Sequence, residues 1–452
     1  MNSEQLTDRH RAAASFWLVT SDSGVVVHPL RASVRAMENL DRDMAEAREL
    51  LKRAQEEFDA GAFDRLLVTI ALVNRELARG IESVRRNEPE TWDSYRSTLP
   101  AEPTLHDGRL ARSAYVDRVK GAWLGKCIGT ALGDPVEGWT REAIRATHGT
   151  VDRYLVPPKT ENDDTAYPIL VLHALDEHGV GYTSEQLGLE WVEHLPYAYT
   201  AEQVALDNLK AGRMPPESRW IGNPCGTWVG GQMRGEVHGL VAPLVPKVAT
   251  EYAFRDAAIS HYREGLDGEV YAAALVSLAF ADLPIEELLR RALRYVPRSS
   301  PLHETVERTI EWCHRSGDWR VVMDHVDEEL GHHHWIHTLP NLACVVCGLM
   351  LGEGDFERTL LTTLACGYDT DCSTGQAAAL LGAILGAERL PEKWTAPIGD
   401  VLDTYVVGFE RIEIDALTDW TVRWGERIAA ERIVPERGEI ETRDASGRED
   451  IG

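Results

Sequence analysis

Gly121-Ala122-Trp123-Leu124-Gly125-Lys126-Cys127-Ile128-Gly129-Thr130-Ala131-Leu132-Gly133-Asp134-Pro135-Val136-Glu137-Gly138 carries glycine at every fourth position from 121 to 133. At 3.6 residues per turn, that spacing draws one smooth stripe along a single helix face. Each helical glycine costs about 1 kcal/mol relative to alanine, so four in register need a reason. Two readings stand. In the first, a second helix backbone packs directly on the stripe. In the second, the helix passes beneath a ligand pocket and its end delivers Asp134 and Glu137 there. Both make the segment a buried helix.

Working outward, the same period continues. Apolar spacing predicts helices over 116–132, 165–177, 184–194, 201–211, 251–261, 269–280, 285–296, 302–316, 342–351, 356–366 and 373–385. The loops between them are often rich in Gly and Pro, and strand-type alternation is nearly absent. Residues 113–435 therefore read as one compact all-α domain. Residues 1–112 form an N-terminal extension. Its stretch 40–87 is rich in Glu, Arg, Ala and Leu and breaks at Asp59-Ala60-Gly61-Ala62, the pattern of a helical hairpin. Ahead of it, 15–19 and 24–27 flank Ser21-Asp22-Ser23 as a short β-hairpin. Residues 88–112 hold three prolines and read as a linker. The extension shows no catalytic pattern and is expected to pack on the main domain or on a second subunit. Residues 436–452 read as a charged, frayed tail.

Composition bounds the function. Of 452 residues, 44% are hydrophobic and 27% charged, ordinary globular values. Lys plus Arg number 47 and Asp plus Glu 73, a formal charge of −26. Such a surface repels phosphate backbones and anionic membranes, so nucleic-acid and membrane partners are not expected. A small anionic ligand remains compatible, because a local cation or helix end overrides the global field. No apolar run approaches the ~20 residues of a membrane span. The N-terminus is polar and lacks the apolar core of a signal peptide. Seven cysteines, mostly in apolar surroundings, are expected to be reduced, in a cytoplasmic protein.

Two further segments depart from plain amphipathic helix. Glu161-Asn162-Asp163-Asp164-Thr165 precedes an apolar run, where adjacent carboxylates serve as helix caps. Cys366-Gly367-Tyr368-Asp369-Thr370-Asp371-Cys372-Ser373 lies between two helices, with Gly367 suited to end one and Asp371 or Ser373 to start the next. Asp-x-Asp with neutral oxygens suits a hard cation such as Mg²⁺ or Mn²⁺. Two Asp pairs about 200 residues apart, each at a helix start, are more telling together than singly. Four carboxylates in one place repel unless cations neutralise them. A two-metal site does that, and also activates water.

Taken in order, these segments resemble the ADP-ribosylglycohydrolase family. The glycine-striped helix with Glu137, Asn-Asp-Asp-Thr at 162–165 and Gly-Tyr-Asp-Thr-Asp-Cys at 367–372 carry the resemblance. Gly230-Gly231-Gln232-Met233-Arg234-Gly235 matches the family's glycine-rich loop, and Arg255-Asp256-Ala257-Ala258-Ile259-Ser260-His261 its Ala-rich helix ending in Ser/Thr-His. Asn341 and Gly352-Glu353-Gly354-Asp355-Phe356-Glu357 complete it, over roughly 113–410.

The resemblance implies an all-helical fold with a binuclear magnesium site that hydrolyses the glycosidic bond of an ADP-ribosyl group. It implies Asn162, Asp163, Asp164, Asp369, Asp371 and Cys372 as metal ligands, with two Mg²⁺ ions expected and Mn²⁺ an alternative. Asn162 stands where Thr is usual, and Cys372 where a ligating Thr is common; a neutral thiol is a poor Mg²⁺ ligand. Glu137, Asp163 and Asp371 are the implied catalytic carboxylates, and Gly230, Gly231, Gln232, Arg234, His261 and Tyr368 the implied substrate contacts. Thr130 replaces a frequent Asp. Tyr368 replaces a Gly and is expected to form an aromatic wall beside the metals. Backbone N–H groups of 222–235 are expected to hold a phosphate.

The expected substrate is a small ADP-ribosyl or nucleotide-like molecule such as an NAD-derived metabolite, with an ADP-ribosylated protein as the other possibility. A non-catalytic ADP-ribose-binding protein is the rival, motivated by Asn162, Thr130 and Cys372. A helical scaffold driven by the extension is a third. His332-His333-His334 is read as a loop, and Cys344-x-x-Cys347 as helix interior without zinc. Trp220, Trp228 and Trp335 lie in polar or Gly-rich loops, where one of them is a candidate to stack on a nucleobase.

Overall fold

The structure, a computed structural model, describes residues 14–433 apart from 22, 87 and 101–109. The charged tail expected at 436–452 lies outside the described residues. Fifteen helices of ten residues or more carry the described fold. In the extension they are α1 (Pro29–Asn39), α2 (Ala45–Asp59) and α3 (Phe63–Arg85). Then follow α4 (Arg112–Gly133), α5 (Asp163–His178), α6 (Ser184–His194), α7 (Thr200–Lys210), α8 (Pro246–Ser260), α9 (Glu264–Ala279) and α10 (Pro301–Ser316). The last are α11 (Trp319–Leu330), α12 (Thr338–Gly352), α13 (Phe356–Ala365), α14 (Thr370–Leu385) and α15 (Ile414–Ile428). Two short antiparallel strand pairs accompany them, β1 (Val19–Thr20) with β2 (Val26–Val27) and β3 (Val401–Asp403) with β4 (Arg411–Glu413). The architecture is all-α, as the sequence predicts.

The glycine stripe explains the centre. A Cβ at Gly121 would lie 2.4 Å from the Gly382 carbonyl oxygen. The matching distances are 2.2 Å from Gly125 to Ala378, 2.4 Å from Gly129 to Thr374 and 2.3 Å from Gly133 to Thr370. As the α4 number rises, the α14 number falls, so the helices run antiparallel with their backbones touching. The same contact brings the C-terminal end of α4, and Glu137 beyond it, to the N-terminal end of α14. Thr370 Oγ1 donates to the Gly133 carbonyl at 2.8 Å, and the Gly138 N–H to the Tyr368 carbonyl at 2.8 Å. Both readings of the stripe therefore meet in one geometry.

In the extension, α2 and α3 form the expected helical hairpin, turning at Gly61 with φ +67°. Thr69 Oγ1 donates to the buried Glu57 carboxylate at 2.7 Å and ties the pair. The β-hairpin is shorter than its apolar run suggests, because residues 14–17 are helical. The hairpin's core includes Trp17, Met37, Leu66 and Val73, and it continues into Trp220 and Tyr262 of the main domain. The 88–112 stretch is more than a linker: Trp92–Arg96 forms a capped helical turn, and the buried Tyr95 hydroxyl donates to Asp267 at 2.8 Å. All seven cysteines are free and buried. No helix among the described residues is long and apolar enough to cross a membrane.

Candidate active site

Three helix ends, the C-terminal end of α4 and the N-terminal ends of α5 and α14, converge on one acidic cluster. Ligand atoms of Glu137, Asp369 and Asp371 lie within 4.8 Å of one another, and so do those of Asp164, Asp371 and Cys372. Asp371 belongs to both sets. Asn162 links the arms: its side-chain oxygen caps α5 by accepting from the Asp164 N–H at 2.8 Å, and its amide donates to Asp371 Oδ2 at 3.1 Å. Asn341 on α12 fixes the turn from behind, its oxygen accepting from the Asp369 N–H at 3.0 Å. Asp164, Asp369, Asp371 and Cys372 are buried, whereas Glu137, Asn162 and Asp163 are half-buried.

The electrostatics of this cluster ask for cations. Burial, then Asp371, Asp163, Asp134 and Asp164, push Glu137 up to about 9. Burial followed by neighbouring carboxylates likewise holds Asp163 and Asp369 well above the usual range and raises Asp371. Asp369 Oδ1 and Asp371 Oδ1 are buried with no hydrogen-bond partner among the described residues. Hard carboxylate oxygens left bare at such separations fit a hard divalent cation.

Lys126 is the part that sequence reasoning missed. Its Nζ lies 2.7 Å from Asp164 Oδ1 and 3.2 Å from Glu236 Oε1, and donates to the Met233 carbonyl at 2.5 Å. Burial pulls its pKa down, but Asp164 and then Glu236 more than reverse this, so the ammonium stays charged. One carboxylate is thus already neutralised by the protein. The signal was a lone lysine inside a Gly- and Ala-rich buried helix, which demands a buried anion. Cys372 stands beside it as a thiol, raised by burial and by Asp164, and donates to Asp164 Oδ2 at 3.2 Å.

The implied substrate contacts fall elsewhere. Arg234 is fully buried. It pairs with Glu202 at 3.0 Å, Asp256 at 3.2 Å and Glu269 at 3.3 Å, and packs on the rings of Tyr167 and Trp191. His261 is equally buried, and its Nε2 accepts the Gly231 N–H at 3.2 Å. Burial and Arg234 hold this imidazole neutral. Both residues support the 222–235 loop from below instead of facing a ligand.

Gly230 and Gly231 are required by packing: their Cβ atoms would meet Glu202 Oε1 at 1.9 Å and the Gly265 carbonyl at 2.6 Å. The N–H groups of Trp228, Val229, Gly231 and Met233 are spent within the protein, which removes them from the expected phosphate cradle. Gln232, also buried, donates to Gln376 at 2.7 Å. Tyr368 takes a left-handed φ of +65°, the conformation glycine adopts most readily. Its hydroxyl donates to Asp327 at 2.6 Å and its ring packs against the apolar cluster that includes Val322, Met323 and Cys344, so the side chain is directed to that cluster and not to an aromatic wall beside the carboxylates. Trp220 and Trp228 are buried, stacked on Tyr262 and His334. Trp335 is half-buried beside Gly138.

The extension reaches the rim of the site. Ser23 Oγ donates to the Glu137 carbonyl at 2.6 Å, and Trp139 Nε1 donates to the Ser23 carbonyl at 3.1 Å. Arg35 donates to the carbonyls of Gly331 and His332, and Asn39 Nδ2 lies 3.1 Å from His333 Nδ1.

Comparison with known proteins bears on the family and the fold. A family model described as ADP-ribosylglycohydrolase matches residues 111–432. An uncharacterized protein of Archaeoglobus fulgidus is 26% identical over 300 residues, covering 63% of this chain and 92% of that protein. The uncharacterized protein YegU of Escherichia coli is 22% identical over 310 residues, covering 61% and 89%. Among solved structures, a chain of an ADP-ribosylglycohydrolase-related protein complex superposes with a TM-score of 0.51. It is 22% identical and covers 69% of this chain and 99% of its own, which supports the fold.

Proposed function

The chain belongs to the ADP-ribosylglycohydrolase family, and from that premise we propose that it is a metal-dependent hydrolase. It would cleave the glycosidic bond of a small ADP-ribosyl or related ribosyl-nucleotide molecule. The observation that carries this reading is the pair of bare, buried oxygens on Asp369 and Asp371 within a cluster of mutually repelling carboxylates.

Asp163, Asp369 and Asp371 would hold two Mg²⁺ ions, or Mn²⁺, with Asp164 shared with Lys126 and Cys372 the weakest member of the set. When bound, such ions neutralise the cluster, lower the pKa of water and orient ribose hydroxyls. Glu137 is half-buried and its carboxylate lies within 4.8 Å of Asp369 and Asp371, so it would orient or deprotonate the attacking water. The water oxygen joins the anomeric carbon, the bond to the leaving group breaks, and a proton returns to that group. Positive charge develops on the ribose during this step, and the surrounding carboxylates stabilise it. Arg234 and His261 would act as positioning residues beneath the 222–235 loop.

The reaction is assigned to residues 113–435, with residues 1–112 as a cover. The small-molecule preference is supported by Ser23, whose hydrogen bond to the Glu137 carbonyl places the extension on the rim where a protein carrying ADP-ribose would have to approach. A second reading, a non-catalytic ADP-ribose-binding protein, is favoured by the Lys126–Asp164 pair, because a built-in ammonium replaces part of the cation charge.

A turnover panel with and without Mg²⁺ separates the two. It holds ADP-ribosyl-arginine, ADP-ribosyl-serine, ADP-ribose-1″-phosphate, NAD and an ADP-ribosylated protein, with Asp369→Ala as control. Magnesium-dependent release from a free compound, lost in the variant, is expected. Tight ADP-ribose binding without release from any member supports the binding protein instead.

A further inference from the structure

A second group of ligand-type side chains lies ten residues beyond Asp163 on α5, about 15 Å along the helix axis. His173 on α5 faces Glu190 and His194, one turn apart on α6, and their ligand atoms lie within 4.8 Å of one another. Glu190 Oε2 is 2.6 Å from His173 Nδ1 and 3.5 Å from His194 Nε2, while Oε1 is 3.2 Å from His178 Nε2. The Glu190 side chain is only 7% exposed and that of His194 13%.

The His194 ring decides the matter. Its Nδ1 lies 2.8 Å from the Val407 carbonyl, which can only accept, so the proton is on Nδ1. In the neutral ring, Nε2 then carries a lone pair. That atom is buried, has no hydrogen-bond partner among the described residues, and lies 3.5 Å from a carboxylate oxygen of Glu190. A lone pair facing a carboxylate repels it, and either a proton on Nε2 or a metal ion between the two groups relieves that repulsion. An imidazole whose other N–H is fixed by a backbone carbonyl is also the usual arrangement of a metal-ligating histidine.

We propose that His173 Nδ1, His194 Nε2 and Glu190 Oε2 form a Zn²⁺ site separate from the acidic cluster, with His178 or water at the fourth position. Two imidazoles and one carboxylate suit a borderline transition ion and are a poor set for Mg²⁺. Binding shifts the His173 proton from Nδ1 to Nε2 by way of solvent, with no net proton released from the neutral ring, and replaces the 2.6 Å hydrogen bond by two coordinate bonds. Phe409 packs on both rings, at 5.1 Å from His173 and 5.6 Å from His194, and shields the site on one side. The Val407 N–H also donates to the His194 carbonyl at 2.9 Å. The ion would thus clamp α5, α6 and the 404–409 loop together.

The test titrates the full chain with Zn²⁺ while millimolar Mg²⁺ occupies the acidic cluster, and reads stoichiometry by calorimetry and metal analysis. One Zn²⁺ equivalent is expected, retained in Asp371→Asn and weakened at least about 100-fold in His173→Ala and His194→Ala. Co²⁺ in the unmodified chain should give the visible bands of a four-coordinate site, a readout that does not depend on any variant folding. No Zn²⁺ uptake by the Mg²⁺-saturated chain, or uptake unchanged in both histidine variants, would overturn the proposal.

Discussion

Lys126 reaches Asp164 with 4% of its side chain exposed, and Asp164 is fully buried. Removing one partner of such a pair strands the other charge, which costs about 3–5 kcal/mol. Lys126→Met is therefore expected to lower unfolding stability by that amount in denaturant titration, with part of the loss recovered by millimolar Mg²⁺. Asp267 makes a second prediction at this scale. Burial, against hydrogen bonds from Ser300 and Tyr95, lifts its pKa to about 7 from 3.8. A carboxyl raised on folding contributes stability fully present below about pH 4 and lost as pH rises through about 7. Asp267→Asn carries no charge at any pH, and its oxygen still accepts from Tyr95. It should gain on the parent chain as pH rises, by on the order of 2–4 kcal/mol at pH 8, and little at pH 4. An equal difference at both pH values would refute the assignment. Residue types at the cluster were legible only when the two Asp segments were read together, because a single Asp pair at a helix start also serves as a cap. The partners that hold them were harder to see: Lys126 is marked only by being a lone lysine in a Gly- and Ala-rich helix, and Glu236 beside it looks like an ordinary helix residue until tertiary packing buries it.

The contact between α4 and α14 sets the geometry of the site at the level of elements. Alanine usually stabilises a helix over glycine by about 1 kcal/mol. At Gly129 its Cβ would lie 2.4 Å from the Thr374 carbonyl oxygen, so the helices must separate. Gly129→Ala should cost about 1–3 kcal/mol and reduce magnesium-dependent turnover further, because Glu137 and Asp371 move apart with the two helices. When both variants are compared by thermal melting, Gly181, with open space around it, should accept alanine within about 0.5 kcal/mol. Helix existence was readable because apolar periodicity survives burial on one face. Starts were read less well: α9 begins at Glu264, five residues before the apolar run suggests, since Glu264, Asp267 and Glu269 are all buried there. Polar residues in a buried first turn hide a helix from any hydrophobicity pattern. The turn Trp92–Arg96 escaped for a related reason, being five residues between prolines.

Across the whole molecule, the extension and the main domain share a core at Trp220 and Tyr262, and the β-hairpin turn touches the backbone of Glu137. A formal charge of −26 surrounds a centre whose own carboxylates repel one another. Cations would therefore be drawn in by both the long-range field and the local site. Nothing in the extension's sequence points to the rim of that centre, because Ser23 contacts a residue 114 positions away. The most direct measurement is the initial rate of ribosyl release from a free ADP-ribosyl compound. It is taken in millimolar Mg²⁺ and in chelator, for the parent chain and for Asp371→Asn. A fall of at least about 100-fold, near 2.7 kcal/mol in the barrier, is expected both on chelation and in the variant. Release that survives both chelator and Asp371→Asn would contradict a metal-dependent centre at the junction of α4, α5 and α14.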